Sequence, residues 1–239
     1  MDTEKTEHLD EDLLNLRLNA VCLAYSWSII VFVIKRIMDL VGSSLALFVL
    51  FPILLFAAIL IRRFDGGPIY YRAPRIGRKG ATFKMLKFRT MVLNADKIGG
   101  SSTSDDDPRI TPVGKWMRRW KIDELPQFIN VLKGDMSIVG PRPQVAWAVN
   151  QYTAEERKVL NVRPGVTDWA SLVFSNEGEI LRGYKDADAA YMELIHPHKM
   201  KLALKYVEKP SVLTDVSIMW MTFRSILGHR PTLEQLEQK

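Results

Sequence analysis

Hydropathy is spread very unevenly along this chain. Residues 37–61 are apolar almost throughout, interrupted only by Asp39, Gly42, Ser43, Ser44 and Pro52. At about 1.5 Å of helical rise per residue, such a run is long enough to cross the hydrocarbon core of a bilayer. Basic pairs flank it on both sides, Lys35-Arg36 before and Arg62-Arg63 after. Positive charge marks the cytoplasmic end of a membrane segment, so a simple span carries that bias at one end only. Pro52 inside the run removes a backbone hydrogen bond and bends a helix. The pattern predicts a re-entrant membrane helix over residues 35–63 that enters and leaves by one face and bends near Pro52. A plain span and the buried core helix of a soluble protein fit the flanking charges less well. Upstream, residues 13–34 form a second apolar-rich stretch with Tyr25 and Trp27. It is expected to be a membrane-associated helix, and its topology stays open. If it spans, the re-entrant argument weakens. Asp39 is expected to be neutralised on its own helix by Lys35 or Arg36, which lie four and three residues before it.

Beyond Arg63 the pattern changes to that of a globular domain. Gly66-Gly67-Pro68 signals a turn. Ile69-Tyr70-Tyr71-Arg72 and Phe83-Lys84-Met85-Leu86-Lys87-Phe88-Arg89 read as short strands around Gly77 and Gly80. The second alternates apolar with basic positions, placing Lys84, Lys87 or Arg89 on its polar face. Asp105-Asp106-Asp107 reads as a solvated loop in preference to a metal site. Ile122, Leu125, Ile129 and Leu132 recur at helical spacing, and Gly134 is a stop signal. Pro126 is tolerated only in a first turn, which puts the helix start near Asp123. Asp123, Gln127 and Asn130 then share a polar stripe. Asp123 and Glu124 alone would read as an N-cap and a first-turn acid facing the helix dipole. Lys115, Arg118, Arg119 and Lys121 precede them, however, and residues 134–143 follow with a polar, glycine- and proline-rich run that a helix does not need in order to end. Near the C-terminus, residues 212–228 are apolar with Arg224 inserted, as in an interfacial helix; a core helix is the alternative.

The chain has 239 residues and a net charge of +6. That length suits one domain with an attached membrane element, or at most two small domains. The basic excess fits an anionic partner, whether nucleic acid, anionic lipid or phosphorylated substrate, and does not choose among them. The single cysteine, Cys22, excludes an internal disulfide framework and a cysteine-rich zinc site. The acidic first dozen residues read poorly as a secretory signal. His196-Pro197-His198 lacks further ligands at zinc-site spacing and reads as surface histidine.

Several stretches together resemble one family, the small monotopic phosphoglycosyl transferases, bacterial sugar transferases that initiate polysaccharide and glycoconjugate assembly. They are Lys35-Arg36-Ile37-Met38-Asp39, Gly67-Pro68-Ile69 with Arg75-Ile76-Gly77, and Phe83 through Met91. Asp107-Pro108-Arg109-Ile110-Thr111, Ile122-Asp123-Glu124-Leu125-Pro126-Gln127, the run from Gly134 to Pro143, and Arg163-Pro164-Gly165-Val166-Thr167 complete them. Tyr206, Ser211 and Asp215 also sit at family-like spacing. The Asp-Glu-Leu-Pro-Gln block with Gly-Asp-Met-Ser-Ile-Val-Gly-Pro-Arg-Pro carries most of the specificity. Where the family often has glycine followed by Trp-Ala-Gln-Val-Asn, this chain has Asp168-Trp169-Ala170-Ser171-Leu172, a departure that puts sugar identity in doubt more than the chemistry.

The resemblance implies transfer of a sugar 1-phosphate from a nucleotide sugar, with uridine the usual base, to undecaprenyl phosphate, with release of UMP. It implies Asp123 as a carboxylate nucleophile that forms a covalent phospho-sugar enzyme. Glu124, with Asp123, is the expected Mg²⁺ ligand, since magnesium takes few carboxylates plus substrate phosphate oxygens. Arg118, Arg142 and Arg163 are expected phosphate contacts, and Lys87 and Arg89 weaker ones. The expected protein is helix-rich α+β. Residues 1–34 are a membrane-associated extension, 35–63 the re-entrant helix, and 64–239 a cytoplasmic catalytic domain at the bacterial inner membrane. Monomer and homodimer both stay open. A non-catalytic membrane scaffold would need neither Asp123 nor Glu124. A nucleic-acid binder would leave the apolar run without a purpose, and no nucleic-acid motif occurs.

Overall fold

The computed structural model describes the backbone of residues 2–98, 103–104, 106–208 and 210–237, with side chains from residue 30 onward except 96 and 237. The chain divides into two compact units, residues 1–38 and 39–239. The first is helical, and Ile30, Phe32, Val33, Ile34 and Ile37 are exposed within it. Most side chains of the apolar stretch at residues 13–34 lie outside those described.

The opening helix, α1 (Asp2–Asp65), stays helical through Pro52. Over Ile30–Asp65 it is long and apolar enough to cross a membrane, with a mean hydropathy of 2.9 in its most apolar window, of which 11% is buried. A helix that is apolar on all sides belongs in a core or in lipid. Here Leu45, Phe48, Val49, Phe51, Leu55 and Phe56 are exposed, Phe48 by 82%.

Within the second unit the chain continues as a hairpin of β1 (Tyr70–Ile76) and β2 (Thr82–Phe88), joined by a short 3₁₀ turn. Their antiparallel register pairs Tyr71 with Lys87, Ala73 with Met85 and Arg75 with Phe83. Directly opposed residues share a face, and Ala73 and Met85 show that this face is the buried one. Next come α2 (Pro112–Arg119), a 3₁₀ turn over Ile122–Glu124, and α3 (Gln127–Lys133). β3 (Ser137–Val139) pairs in parallel with β4 (Gly165–Thr167) across α4 (Ala146–Asn150). This pairing brings Gly140 and Gly165 so close that a Cβ on Gly165 would lie 2.1 Å from the Gly140 nitrogen, so no side chain fits there. The remaining helices are α5 (Trp169–Val173), α6 (Glu177–Ile180), α7 (Ala187–Leu194), α8 (His196–Glu208), α9 (Val212–Ile226) and α10 (Leu233–Glu237).

Both ends of the 39–65 stretch of α1 are anchored on this unit. At the far end, Ala57 and Ile61 pack with Phe88 and Met117, and Arg89 makes a two-point ion pair with Asp65. At the near end, Asp39 Oδ1 accepts from Ser137 Oγ at 2.9 Å and from the Ile138 N–H at 2.8 Å. This corrects the sequence expectation for Asp39, whose carboxylate serves β3 instead of a cation one turn away. Only tertiary structure could bring β3, about a hundred residues downstream, to that helix face.

Two further expectations change. The helix expected to start near Asp123 starts at Gln127, after a 3₁₀ turn, with Pro126 just before it. His196 is buried, its Nε2–H donates to Glu156 Oε1 at 3.2 Å, and it packs against Tyr152 and Tyr191, so it is not a surface histidine. At the C-terminus, α9 buries Asp215 and Ile218 while Leu213, Val216, Trp220, Phe223 and Ile226 are exposed. Of the Asp105–Asp107 run, Asp105 lies outside the described residues, and Asp107 pairs with Arg109 at 2.6 Å.

Candidate functional site

Asp123 and Glu124 sit where three elements converge. Lys121, just upstream, adopts a left-handed conformation (φ 55°). Few non-glycine residues accept that conformation, and it costs of order 1 kcal/mol. It reverses the chain sharply after α2, so the 3₁₀ turn carrying both carboxylates folds against β2. From Ile122 to Lys133 the backbone stays right-handed helical, because Leu125 (φ −56°, ψ −34°) and Pro126 (φ −61°, ψ −14°) continue the turn into α3. Asp123, Gln127 and Asn130, the polar stripe of the sequence, are all buried: they are exposed by 7%, 0% and 1%.

The two carboxylates have opposite surroundings. Glu124 Oε1 receives Lys87 Nζ at 3.0 Å and an Arg142 guanidinium N–H. Burial alone would raise its pKa, yet Arg142 and then Lys87 outweigh that and hold it well below the usual carboxylate range. Asp123 goes the other way. Burial, then the charge of Glu124, raise its pKa, while Lys87, Arg118 and Lys121 pull it down less. Its Oδ1 is fully enclosed with no hydrogen-bond partner. Strongly perturbed groups with named charge partners mark functional sites more often than chance. A buried acceptor with no donor is rare in folded proteins and asks for a reason.

The structure thus brings together Asp123, Glu124, Lys87, Arg118 and Arg142. Arg118 is held by its Nε donating to Thr90 Oγ1 at 2.9 Å, and it lies close enough to Asp123 to lower that carboxyl's pKa. Arg142 is positioned from behind: its backbone N–H donates to Asp168 Oδ2 at 3.1 Å, while Asp168 Oδ1 caps α5 through the Ser171 N–H at 2.6 Å. The other expected phosphate contacts are engaged elsewhere. Arg89 is buried and committed to Asp65 and to the Pro68 carbonyl at 2.8 Å, and Arg163 Nε donates to the Gly134 carbonyl at 3.0 Å.

Sequence reading missed Arg75. Its pKa is lowered by burial and then by Arg142, and it feels Glu124. The signal was present in period-two alternation, because in the hairpin Arg75 shares the inner face with Lys87. Gln127 was placed on the stripe but not as a site residue, although neither its Oε1 nor its Nε2 finds a partner.

Among the described residues no group of three or more histidine, cysteine or acidic side chains could hold a metal alone. A magnesium ion asks for less, one or two carboxylates completed by water and substrate phosphate. The adjacent carboxylates of Asp123 and Glu124, carried on one turn, fit that limited donor set.

A family model described as bacterial sugar transferase matches residues 30–229. The chain is 35% identical over 227 residues to a UDP-N-acetylgalactosamine-undecaprenyl-phosphate N-acetylgalactosaminephosphotransferase of Aeromonas hydrophila, covering 93% of this chain and 48% of that protein. It is 35% identical over 193 residues to the UDP-glucose:undecaprenyl-phosphate glucose-1-phosphate transferase of Escherichia coli K12, covering 79% of this chain and 39% of that one. With exopolysaccharide production protein ExoY of Sinorhizobium fredii it shares 35% identity over 208 residues, 80% of this chain and 84% of ExoY. The chain thus spans less than half the length of the first two relatives and most of the third.

Proposed function

Since the chain belongs to the bacterial sugar transferase family, we propose that it transfers a sugar 1-phosphate from a UDP-sugar to undecaprenyl phosphate and releases UMP, in the first membrane step of a polysaccharide pathway. The observation that carries this reading is a buried carboxylate, Asp123, with an enclosed, unpaired oxygen, set among Lys87, Arg118 and Lys121 beside a cation-saturated Glu124.

Two anionic substrates must meet, so cations have to screen their repulsion. Asp123 attacks the phosphorus bonded to the sugar. The bond from that phosphorus to the bridging oxygen breaks, UMP leaves, and an aspartyl phospho-sugar forms. An oxygen of undecaprenyl phosphate then attacks the same phosphorus, frees the carboxylate and yields the lipid diphosphate sugar. Covalent catalysis of this kind divides one difficult displacement into two. Arg142 and Lys87 hold Glu124 ionised and fixed, and Arg118 is placed to contact a phosphate oxygen. Glu124 and Asp123 would hold Mg²⁺, which when bound supplies charge neutralisation at the phosphate oxygens.

The lipid substrate calls for a membrane site. The re-entrant arrangement of residues 35–63 is supported by Lys35-Arg36 and Arg62-Arg63 at its two ends, by Pro52 within it, and by the anchoring of both Asp39 and Ile61 on one globular unit. A helix crossing the bilayer would leave one of those ends on the far face. The exposed apolar face of α9 adds an interfacial contact. Together they support a catalytic unit held at the cytoplasmic face of the bacterial inner membrane.

The test is UMP release by detergent-solubilised protein from a panel of UDP-sugars, with Mg²⁺ and undecaprenyl phosphate. Release that requires metal, lipid phosphate and Asp123 is expected. Its absence across the panel, from folded protein, would sink the reading in favour of a non-catalytic scaffold.

A further inference from the structure

Asn130 and Gln127 lie on the same helical face, are equally buried and carry the same carboxamide, yet their surroundings differ completely. Asn130 Oδ1 accepts from the Leu86 N–H at 2.8 Å, and its Nδ2 donates to the Lys84 carbonyl at 2.9 Å and to Asp135 Oδ2 at 3.1 Å. It pins α3 to β2. Gln127 is 0% exposed and neither of its polar atoms has a partner. A buried amide left unpaired costs about 1–3 kcal/mol, so a purely architectural position would be filled more cheaply by an apolar side chain. Another enclosed orphan is Asp123 Oδ1, four residues before Gln127 in the same continuous right-handed turn. Both side chains are buried there, and over so short a stretch of chain a Gln–Asp hydrogen bond can form once the side chains rotate toward each other. Asp123 offers an acceptor without a donor, and Gln127 a donor without an acceptor.

We propose that Gln127 is the positioning residue of Asp123: rotation of the two side chains joins the Gln127 Nε2–H to Asp123 Oδ1, which pairs two of the three enclosed orphan atoms and leaves Oδ2 as the attacking oxygen. This rests on the transferase reading above. An amide donor behind the carboxylate restricts its rotation, so that it meets phosphorus from one direction. Gln127 does this without touching the substrate, so its loss affects turnover more than donor affinity.

Two measurements test the pairing. In the UMP-release assay with a UDP-sugar the protein uses, Gln127→Met is expected to lower kcat about 10–100-fold, the range for a hydrogen bond to a charged group, while KM for the donor stays within a factor of two to three. Separately, denaturant unfolding of the full chain is compared for the unmodified protein, Asp123→Ala, Gln127→Met and the double variant. Pairing makes the single changes non-additive, with Gln127→Met costing stability only while Asp123 is present. Unchanged kcat in Gln127→Met, or strict additivity in the unfolding cycle, overturns the proposal. Absence of UMP release from the unmodified protein would instead defeat the transferase reading, and the unfolding cycle would still decide the pairing. Should Gln127→Met not fold, Gln127→Leu takes its place in both measurements under the same criteria.

Discussion

Two buried aspartates, at the α1–β3 seam and in the turn before α3, show how one residue type is fully paired in one place and keeps an unpaired oxygen in another. Asp39 is 3% exposed and Asp123 is 7% exposed. Asp39 is fully used: a serine hydroxyl and a backbone N–H converge on Oδ1 and fasten an otherwise apolar helix to the globular unit. Asp123 Oδ1 receives no hydrogen bond, and the pKa of the carboxyl is raised by burial and by Glu124. Asp168 and Asp215, also nearly inaccessible, side with Asp39: the first takes two backbone N–H groups, and the second takes the Tyr206 hydroxyl at 2.8 Å. Burial of a carboxylate therefore does not mark a reactive site here. What separates Asp123, the proposed nucleophile, from the other three is its unpaired oxygen, because a carboxylate oxygen without a donor stays available to react.

The sharpest way to break this contrast is Asp123→Asn. Turnover is expected to fall at least about 10³-fold, roughly 4 kcal/mol of barrier, as measured by UMP release. Stability should move the opposite way. A carboxyl whose folded pKa is raised binds its proton more tightly folded than unfolded, so the protein loses stability as pH rises from the unfolded pKa through the folded one. At neutral pH the neutral amide removes that penalty, and Asp123→Asn should melt higher than the parent, a gain that fades as pH falls below the carboxylate range. Equal or lower melting would show that Asp123 is a structural ion after all.

Asp39→Ala should do the reverse. Losing a charged acceptor of two buried donors is expected to cost about 2–4 kcal/mol in unfolding free energy, with turnover per folded molecule retained. A selective loss of turnover would erase the distinction between the two aspartates. Next in size is Arg142→Lys, which keeps the charge beside Glu124 but not the guanidinium fork; a loss in kcat/KM of about 10–100-fold is expected. The smallest effect is that of Asp168→Asn, which keeps an acceptor for the Ser171 N–H but presents an amide to the Arg142 N–H. About 1 kcal/mol of stability should be lost, with a modest rise in donor KM, because Arg142 is then held less firmly.

Part of the candidate site was legible before folding. Asp123, Glu124, Lys87, Arg118 and Arg142 were singled out through the cluster of cations around the two carboxylates and through the family resemblance, and the structure brings their side chains near one another. Legibility failed where the deciding contact is long-range. Arg89 and Arg163 are as cationic as Arg142, yet Arg89 faces Asp65 and the Pro68 carbonyl and Arg163 reaches the Gly134 carbonyl, partners that charge pattern does not reveal. Arg75, quoted only within a family-like stretch, was not taken as a site residue because its proximity to Glu124 and Arg142 depends on the hairpin register. His196 was read as surface because a lone histidine next to proline carries no local sign of the Tyr152 and Tyr191 rings that enclose it.

The sequence by itself determined what is local: an apolar helix with basic ends, a hairpin with cations at alternate positions, a turn carrying adjacent carboxylates, and a C-terminal helix with an apolar stripe. Backbone propensity, turn residues and periodicity act over a few residues and need no tertiary context. Only the tertiary structure decided which buried polar groups would be satisfied. It gave Asp39 to β3 and Asp168 to Arg142, and it left Asp123 and Gln127 without partners. Hydrogen-bond satisfaction in an interior depends on which distant backbone and side-chain groups arrive together, and the low dielectric there makes each missing partner count.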